Sequence, residues 1–298
     1  MAPDCPLCRS GGARPHHAEA GVRYHRCPAC GFVFLHPVPS ADDLERLYQE
    51  EHGATFHHGA EIAGAFEKGL EADHRLRIVR AALSAAPDRR ALEIGCGAGY
   101  LLERLRREGW SVVGTELSDA YIRHARERLG LDVRREPPAG PFGAVLAFNV
   151  LSHVPDPAAA ARAWHGLLKP GGVLVLETGN AAEVAPERVG PFGAPEHVWH
   201  FSETTLRGLL SDAGFADIRV ARRNVEWQRG LLRRVGSLRR PRTAGRAGPS
   251  SAAAPASPPR ERAVKRAWIS ALLALRFHAG RWGADRRHFC TLFVTARK

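Results

Sequence analysis

The stretch LEIGCGAGYLL, Leu92 to Leu102, constrains this chain more than any other. A short apolar run ends in three glycines at alternate positions, Gly95, Gly97 and Gly99, and an apolar helix pattern follows at once. Strand, glycine turn and helix N-terminus in that order form a ligand cradle. Glycines admit φ > 0 and let backbone approach a ligand closely, and the helix start offers unpaired N–H groups. Spacing narrows the ligand. The dinucleotide fingerprint needs G-x-G-x-x-G/A, and position 100 is Tyr. A phosphate-binding P-loop needs Gly-Lys-Ser/Thr, which is missing. Two acids flank the loop: Glu93 inside the strand, and Glu116 at the end of the next one, 17 residues past Gly99. A carboxylate at that second tip can accept hydrogen bonds from ribose hydroxyls.

Around the loop the chain alternates. ALEI (91–94), SVVGTEL (111–117), a weak LDVRRE (131–136) and AVLAFNV (144–150) read as strands. YLLERLRREG and DAYIRHARERLG read as the helices between them. Asp156-Pro157 opens an Ala-rich helix with an acid at the N-cap and Pro at the first helical position. KPGG turns into the strand VLVLETGN, and FSETTLRGLLSDAGF is a helix closed by Gly214. ADIRVARR and HFCTLFVTARK are the last two strands. Strands separated by helical patterns of about ten residues specify βαβ units on a parallel sheet. Upstream, SADDLERLYQEEH reads as a capped helix and 53–70 has no decisive pattern. ADHRLRIVRAALSAA sets Leu76, Val79 and Leu83 on one helix face.

A sugar-binding acid and close glycines without a phosphate clamp fit S-adenosylmethionine. At this point the chain resembles the class I S-adenosylmethionine-dependent methyltransferases: LEIGCGAGY matches their first motif, GTELS their second-strand acid, and LLKPGGVLVLE their turn before strand five. The resemblance covers roughly 75–220 and the last strand. It implies an α/β fold with a Rossmann-like seven-stranded sheet, helices on both faces and an antiparallel final strand. It also implies that Gly95, Gly97 and Gly99 pack on the cofactor, that Glu93 faces its amino-acid part, and that Glu116 binds the ribose, with Leu117 and Asn149 in the same site. The adenine end is the weakest match: Glu136 stands poorly for the usual acid, and Phe142-Gly143 replaces the usual Phe-Asp.

Four of the six cysteines fall in the first thirty residues, as Cys5-x2-Cys8 and Cys27-x2-Cys30. Two such pairs specify a closed four-thiolate zinc site, and a metal filled on all sides by protein is structural. His16, His17 and His25 are the alternative ligands, otherwise expected at the solvent-exposed surface. The following CGFVFLHPVPSADDLERLY resembles a bacterial subgroup in which a short zinc ribbon precedes the catalytic domain, several of whose members act on sugars or natural products. The sugar C-methyltransferases of that subgroup carry an extra C-terminal domain absent from this sequence. The expected organisation is a zinc ribbon over 1–39, a helical linker or cap over 40–74, a catalytic domain over 75–232 and 283–298, and a basic insertion over 233–282.

Methyl transfer is an in-line displacement, so alignment of the partners can supply much of the acceleration, up to ~7–11 kcal/mol. Transfer to a hydroxyl adds the demand for a base. FNVLSHVPDP ends strand four. Related enzymes often have Glu-His there, and this chain has Ser152 and His153, so His153 stands as a base or as packing beside the cofactor. Ser152 and Asn149 lack the acids that hold a divalent metal in some ubiquinone-type O-methyltransferases. PEHVWHFSETTL (195–206) follows strand five, where α/β folds bind substrates. It offers His197 and His200 as bases and Trp199 as a pocket wall, against the plainer reading of structural histidines.

The formal net charge of +12 is uneven. Residues 219–298 hold 20 Lys+Arg against three acids, a net +17, which leaves −5 for the rest. The ribbon and the catalytic core therefore lack the charge of a general nucleic-acid binder, and no dedicated nucleic-acid partner is expected. The Arg-rich insertion, with the low-complexity PRTAGRAGPSSAAAPASPP at its centre, allows weak contact with an anionic membrane or a phosphorylated acceptor, a lid, or a plain solvated decoration. The opening MAPDCPLCRS reads as no secretory signal, which sets the expectation of a cytoplasmic protein. The expected activity is methylation at oxygen or carbon of a small-molecule acceptor, a sugar or natural-product intermediate. A zinc-ribbon RNA methyltransferase and a non-catalytic scaffold with the same fold are the alternatives.

Overall fold

Alternate burial along the central strands divides the interior into two cores. The computed structural model describes residues 2–54, 65–189, 192–223, 267–268, 271 and 290–298. On strand β7 (Phe142–Phe148), Ala144, Leu146 and Phe148 pack with helices α2 (Ala65–Leu83) and α3 (Tyr100–Arg107). Val145 and Ala147, between them, point the other way, toward α5 (Pro157–Gly166) and α7 (Glu203–Asp212). Strand β8 (Leu168–Gly179) splits in the same manner, Val173 and Val175 against Leu174 and Leu176. Side chains that alternate between two apolar faces require cover on both.

The main sheet has seven strands in the order β10-β11-β8-β7-β4-β5-β6. Strands β4 (Arg90–Ile94), β5 (Ser111–Thr115), β6 (Val133–Arg134), β7 and β8 are parallel. Strand β11 (Thr291–Arg297) runs antiparallel between β8 and β10 (Ala216–Arg223). This is the seven-stranded sheet with an antiparallel last strand expected from the sequence, and the order reverses at β4. The caps are as the sequence specifies. Asp156 accepts from the N–H groups of Ala158 and Ala159 ahead of Pro157. Ser202 and Thr205 form a reciprocal box on α7, and Gly214 lies just past its end.

Several local expectations are corrected. The weak strand over 131–136 shrinks to the two residues of β6. Lys169–Gly172 lies within β8: Phe142 pairs with Leu168, the register then shifts, and Gly171 N donates to the carbonyl of Lys298 at 3.0 Å. Helix α2 starts at Ala65 and runs unbroken through position 75. The insertion over 233–282, with its proposed membrane or phosphate contacts, lies outside the described residues apart from positions 267, 268 and 271. Among the described residues no helix is long and apolar enough to cross a membrane.

The N-terminal segment forms a second sheet, β1 (Arg14–Glu19), β2 (Val22–Arg26) and β3 (Val33–His36). Its fourth strand is β9 (Trp199–His200), from the far side of the sequence. Phe32, Phe34, Tyr24 and Leu35 are buried in the same apolar cluster as Leu92, Leu174 and Leu292. The ribbon is therefore built into the core on the α5/α7 face.

Candidate functional site

The glycine turn lies at the C-terminal end of β4, where the strand order reverses and α/β sheets open a crevice for ligands. Gly95, Gly97 and Gly99 all have positive φ, 63°, 53° and 80°. A Cβ on Gly95 would come within 2.6 Å of Val150 Cγ2, and one on Gly99 within 2.7 Å of Leu131 Cδ1. Gly97 faces open space, so only its conformation demands glycine. Cys96 turns inward onto Gly114, where an added Cβ would meet its Sγ at 2.5 Å. Burial pushes its thiol well above the ordinary range, which makes it inert packing.

Glu116 follows β5. Its carboxylate accepts from Gly97 N at 2.8 Å, Leu117 N at 2.8 Å and Ser118 N at 3.0 Å, so it ties the glycine turn to the second strand tip. Leu117 is exposed beside it, and its carbonyl accepts from Gln49 Nε2 at 2.7 Å. Gln49 lies on α1 (Ala41–Ala54), which Arg135 also anchors by bridging Glu45 and Asp119, each at 2.7 Å. Asn149 ends β7 in the left-handed conformation, with its N–H donating to Glu177 O at 2.9 Å.

Glu93 is buried, and its Oε2 has no hydrogen-bond partner. Burial pushes its carboxyl up to about 8, against the pull of Arg75 and with a push from the Glu116 charge. Arg75, on α2, lies 3.0 Å from Glu71 and 3.7 Å from Glu177, over the Phe148 ring at 4.9 Å. Three carboxyls thus surround one guanidinium at the ends of β4 and β8. Sequence reading missed Glu71, Arg75 and Glu177. The visible signal was an i,i+4 Glu-Arg pair on α2 and an acid near the end of strand five.

The four N-terminal cysteines converge. Their Sγ atoms all lie within 4.8 Å of one another, with Cys5–Cys30 at 3.7 Å and Cys8–Cys27 at 3.6 Å. Zn–S bonds of about 2.3 Å give a tetrahedron with edges near ~3.8 Å, so this donor set fits the ion. The two knuckles repeat one geometry. Cys5 N donates to Ser10 O and Arg9 N to Cys5 O; Cys27 N donates to Phe32 O and Gly31 N to Cys27 O. Arg9 and Gly31 occupy the same left-handed position, φ 63° and 76°. Cys5, Cys8, Cys27 and Cys30 are the residues that would hold a structural zinc ion.

The histidine candidates come together across the sequence. The rings of His153 and His197 pack edge-to-face at 4.4 Å. His153 Nδ1 lies 3.0 Å from the Glu196 carbonyl. A carbonyl only accepts, so Nδ1 carries a proton, which leaves Nε2 as the basic nitrogen of the neutral ring. Val150 packs by Gly95, and its carbonyl accepts from His153 N at 2.9 Å, so the tight turn that leads to His153 begins beside the glycine turn. His200 lies on the far side of His197, with ring centroids 6.3 Å apart and edge-to-face. It is buried on β9 against Tyr24 and Phe192, its Nε2 is without a partner, and burial holds its imidazole well below the ordinary range, neutral. Trp199 is likewise buried rather than a pocket wall: it stacks on Phe32 and donates from Nε1 to Val154 O at 2.5 Å. His16 and His17 pack around Phe192, at 6.2 and 4.4 Å, and His25 is half-buried beside Phe34, so none is the free surface group the sequence suggested.

Residues 66–220 match the family model of a methyltransferase domain, and the chain belongs to that family. Its sheet is that of the class I S-adenosylmethionine-dependent enzymes. A ubiquinone biosynthesis O-methyltransferase of Xanthomonas campestris pv. campestris is 39% identical over 129 residues, 38% of this chain and 54% of that protein. One from Pseudomonas aeruginosa is 38% identical over 104 residues, covering 31% and 45%. The chain spans about half the length of these curated relatives. Among solved structures, phosphoethanolamine N-methyltransferase 2 of Haemonchus contortus superposes with TM-score 0.55 at 16% identity, over 89% of this chain and 62% of that one. The [4+2]-cyclase SpnF gives 0.50 at 19%, over 88% and 97%. Both speak to the fold alone.

Proposed function

We propose that this protein transfers a methyl group from S-adenosylmethionine to a small-molecule acceptor, at oxygen or carbon of a sugar or natural-product intermediate. The observation that carries the reading is the acid-flanked glycine turn at the end of β4, together with Val150, which packs by Gly95 and starts the tight turn that leads to the His153–His197 pair. The names of the curated relatives support small-molecule O-methylation. A fold shared with a [4+2]-cyclase does not by itself name a chemistry, so the site has to carry the argument.

When bound, S-adenosylmethionine would supply an electrophilic methyl group, open to in-line attack by an acceptor atom with the thioether as leaving group. This chain's residues do the rest. The backbone at Gly95, Gly97 and Gly99 lets the ligand approach without side-chain hindrance. Glu116 exchanges part of its backbone bonding for ribose hydroxyls, and Leu117 and Asn149 border the same crevice. Glu93, near a cluster short of positive charge, ionises when a ligand ammonium arrives. His153 Nε2, or His197 beside it, takes the acceptor proton as the methyl group transfers. Cys5, Cys8, Cys27 and Cys30 hold zinc for folding, with no part in the chemistry.

Calorimetric titration with S-adenosylhomocysteine tests the cofactor half: binding is expected, and its absence would favour a scaffold. Methyl incorporation from labelled cofactor into a panel of hydroxylated small molecules tests the acceptor half. Incorporation into total RNA with steep salt dependence, and none into the panel, would overturn it.

A further inference from the structure

We propose that Glu19, on the zinc ribbon, is a positioning residue for His197: its carboxylate clamps the turn at 192–194 and thereby sets His197 against His153. The inference rests on the histidine pair facing the acceptor, as proposed above. The contacts form one continuous chain. Glu19 Oε2 accepts from Phe192 N at 2.7 Å, and Oε1 accepts from Gly193 N at 3.0 Å and Ala194 N at 3.1 Å. Three successive N–H groups thus converge on one carboxylate from 173–175 positions away in sequence. Gly193 is the next link. Its carbonyl accepts from His197 N at 2.9 Å, and its Cα lies so close under the His197 ring that an added Cβ would meet Nδ1 at 3.0 Å. The last link is the ring contact of His197 with His153.

Two further ribbon groups hold the same turn. Tyr24 Oη donates to His197 O at 2.8 Å, which fixes the backbone of the residue itself. His17 stacks on Phe192 at 4.4 Å and lies 3.6 Å from Glu19. On the other flank, β3 pairs with β9, and Leu35 N donates to Val198 O at 2.9 Å. The turn carrying His197 is therefore bonded to ribbon residues before, at and after that histidine. A structural zinc ribbon that merely stabilised the chain would have no need to satisfy three consecutive amides of a loop beside the site. Charge-assisted bonds of this kind are among the stronger ones, and they cost little motion at the moment of reaction.

The test uses the full-length, zinc-loaded protein and needs no acceptor. Carbethoxylation by diethylpyrocarbonate is followed by mass spectrometry at His197 and His153, with His165 on α5 as the reference inside the same molecule. Glu19→Ala is expected to raise the His197 rate about tenfold relative to His165, because the turn opens more often. Glu19→Gln should give a smaller rise, about threefold, since its amide oxygen can still accept from Gly193 and Ala194 while its NH2 faces Phe192 N. Tyr24→Phe, which removes only the hydroxyl, should also raise it about threefold. Affinity for S-adenosylhomocysteine should stay within about twofold of wild type. An unchanged His197 rate in a Glu19→Ala protein with normal metal content and circular dichroism would overturn the proposal. If that variant fails to fold, equal His197 rates in Glu19→Gln, Tyr24→Phe and wild type would overturn it instead. A wild type that does not bind S-adenosylhomocysteine removes the functional reading but leaves the clamp, which is scored separately.

Discussion

The glycine turn and the histidine seam lie at the same end of the sheet but are built in opposite ways. The turn is local: residues 93–99 form it, and one acid, Glu116, ties it to the next strand. The seam is assembled from four separated stretches: 16–24 of the ribbon, 153 after β7, the turn at 192–194, and 197–200 leading into β9. The glycine turn can therefore keep its shape from local conformation. The histidine seam depends on long-range packing and can vary without disturbing the turn.

The largest expected effect breaks the ribbon. Cys27→Ser removes one of four thiolates, and metal binding of this type contributes on the order of 10 kcal/mol to folding. Thermal unfolding should drop by about 10 °C or more with loss of bound zinc by elemental analysis. It should remain a single transition, because ribbon and catalytic domain share one apolar cluster. Two separate transitions would show the ribbon to be an appendage.

Next is Glu116→Ala. It unties Gly97 and removes the proposed acceptor for the ribose, so affinity for S-adenosylhomocysteine should fall about 10- to 100-fold by calorimetry. The His197 modification rate should not move. A change in both would mean that the two halves are mechanically one.

Gly95→Ala comes third. The new methyl group would meet Val150 and would sit at φ +63°, costing about 1–3 kcal/mol in denaturant unfolding. Val150→Ala in the same chain should recover part of that by relieving the clash. Recovery of none would leave the backbone conformation as the whole cost.

The smallest effect is read against pH. The Glu93 carboxyl is raised to about 8, so the folded protein binds a proton there that the unfolded chain gives up near the ordinary carboxylate value. Its contribution to stability is full below that ordinary value and is lost as pH rises through about 8. Glu93→Gln should therefore unfold at a higher temperature than wild type at pH 8–9, by about 1–3 kcal/mol of stability, and match it near pH 4. The wild type should release a proton on binding S-adenosylhomocysteine between those limits, measurable by calorimetry in buffers of different ionisation enthalpy. Equal heats across buffers would show that Glu93 does not ionise on binding.

What could be read in advance follows the same division. The glycine spacing, Glu116 and the paired cysteines are local patterns whose geometry is set within a few residues, and the structure brings each set together. The parallel part of the sheet follows from the alternation of strand and helix, and the antiparallel last strand from the family resemblance. His153 and His197 were both named from sequence, but not as neighbours, because 44 positions separate them and no periodicity links them. Arg75 on α2 and Glu177 on β8 are not legible as site residues, since a charged side chain usually points to water. The exposure expected for His16 and His17 failed for a related reason: Phe192, which covers them, is contributed by a loop far along the chain.

The sequence alone determined the glycine turn, the thiol set and the class of fold, because these depend on backbone conformation and short-range spacing. Tertiary structure alone decided that β9 completes the ribbon sheet, that His200 and Trp199 are sealed in that joint, and that His197 meets His153. Those outcomes depend on which distant apolar surfaces bury one another, a free-energy balance over the whole chain that no short stretch of sequence carries.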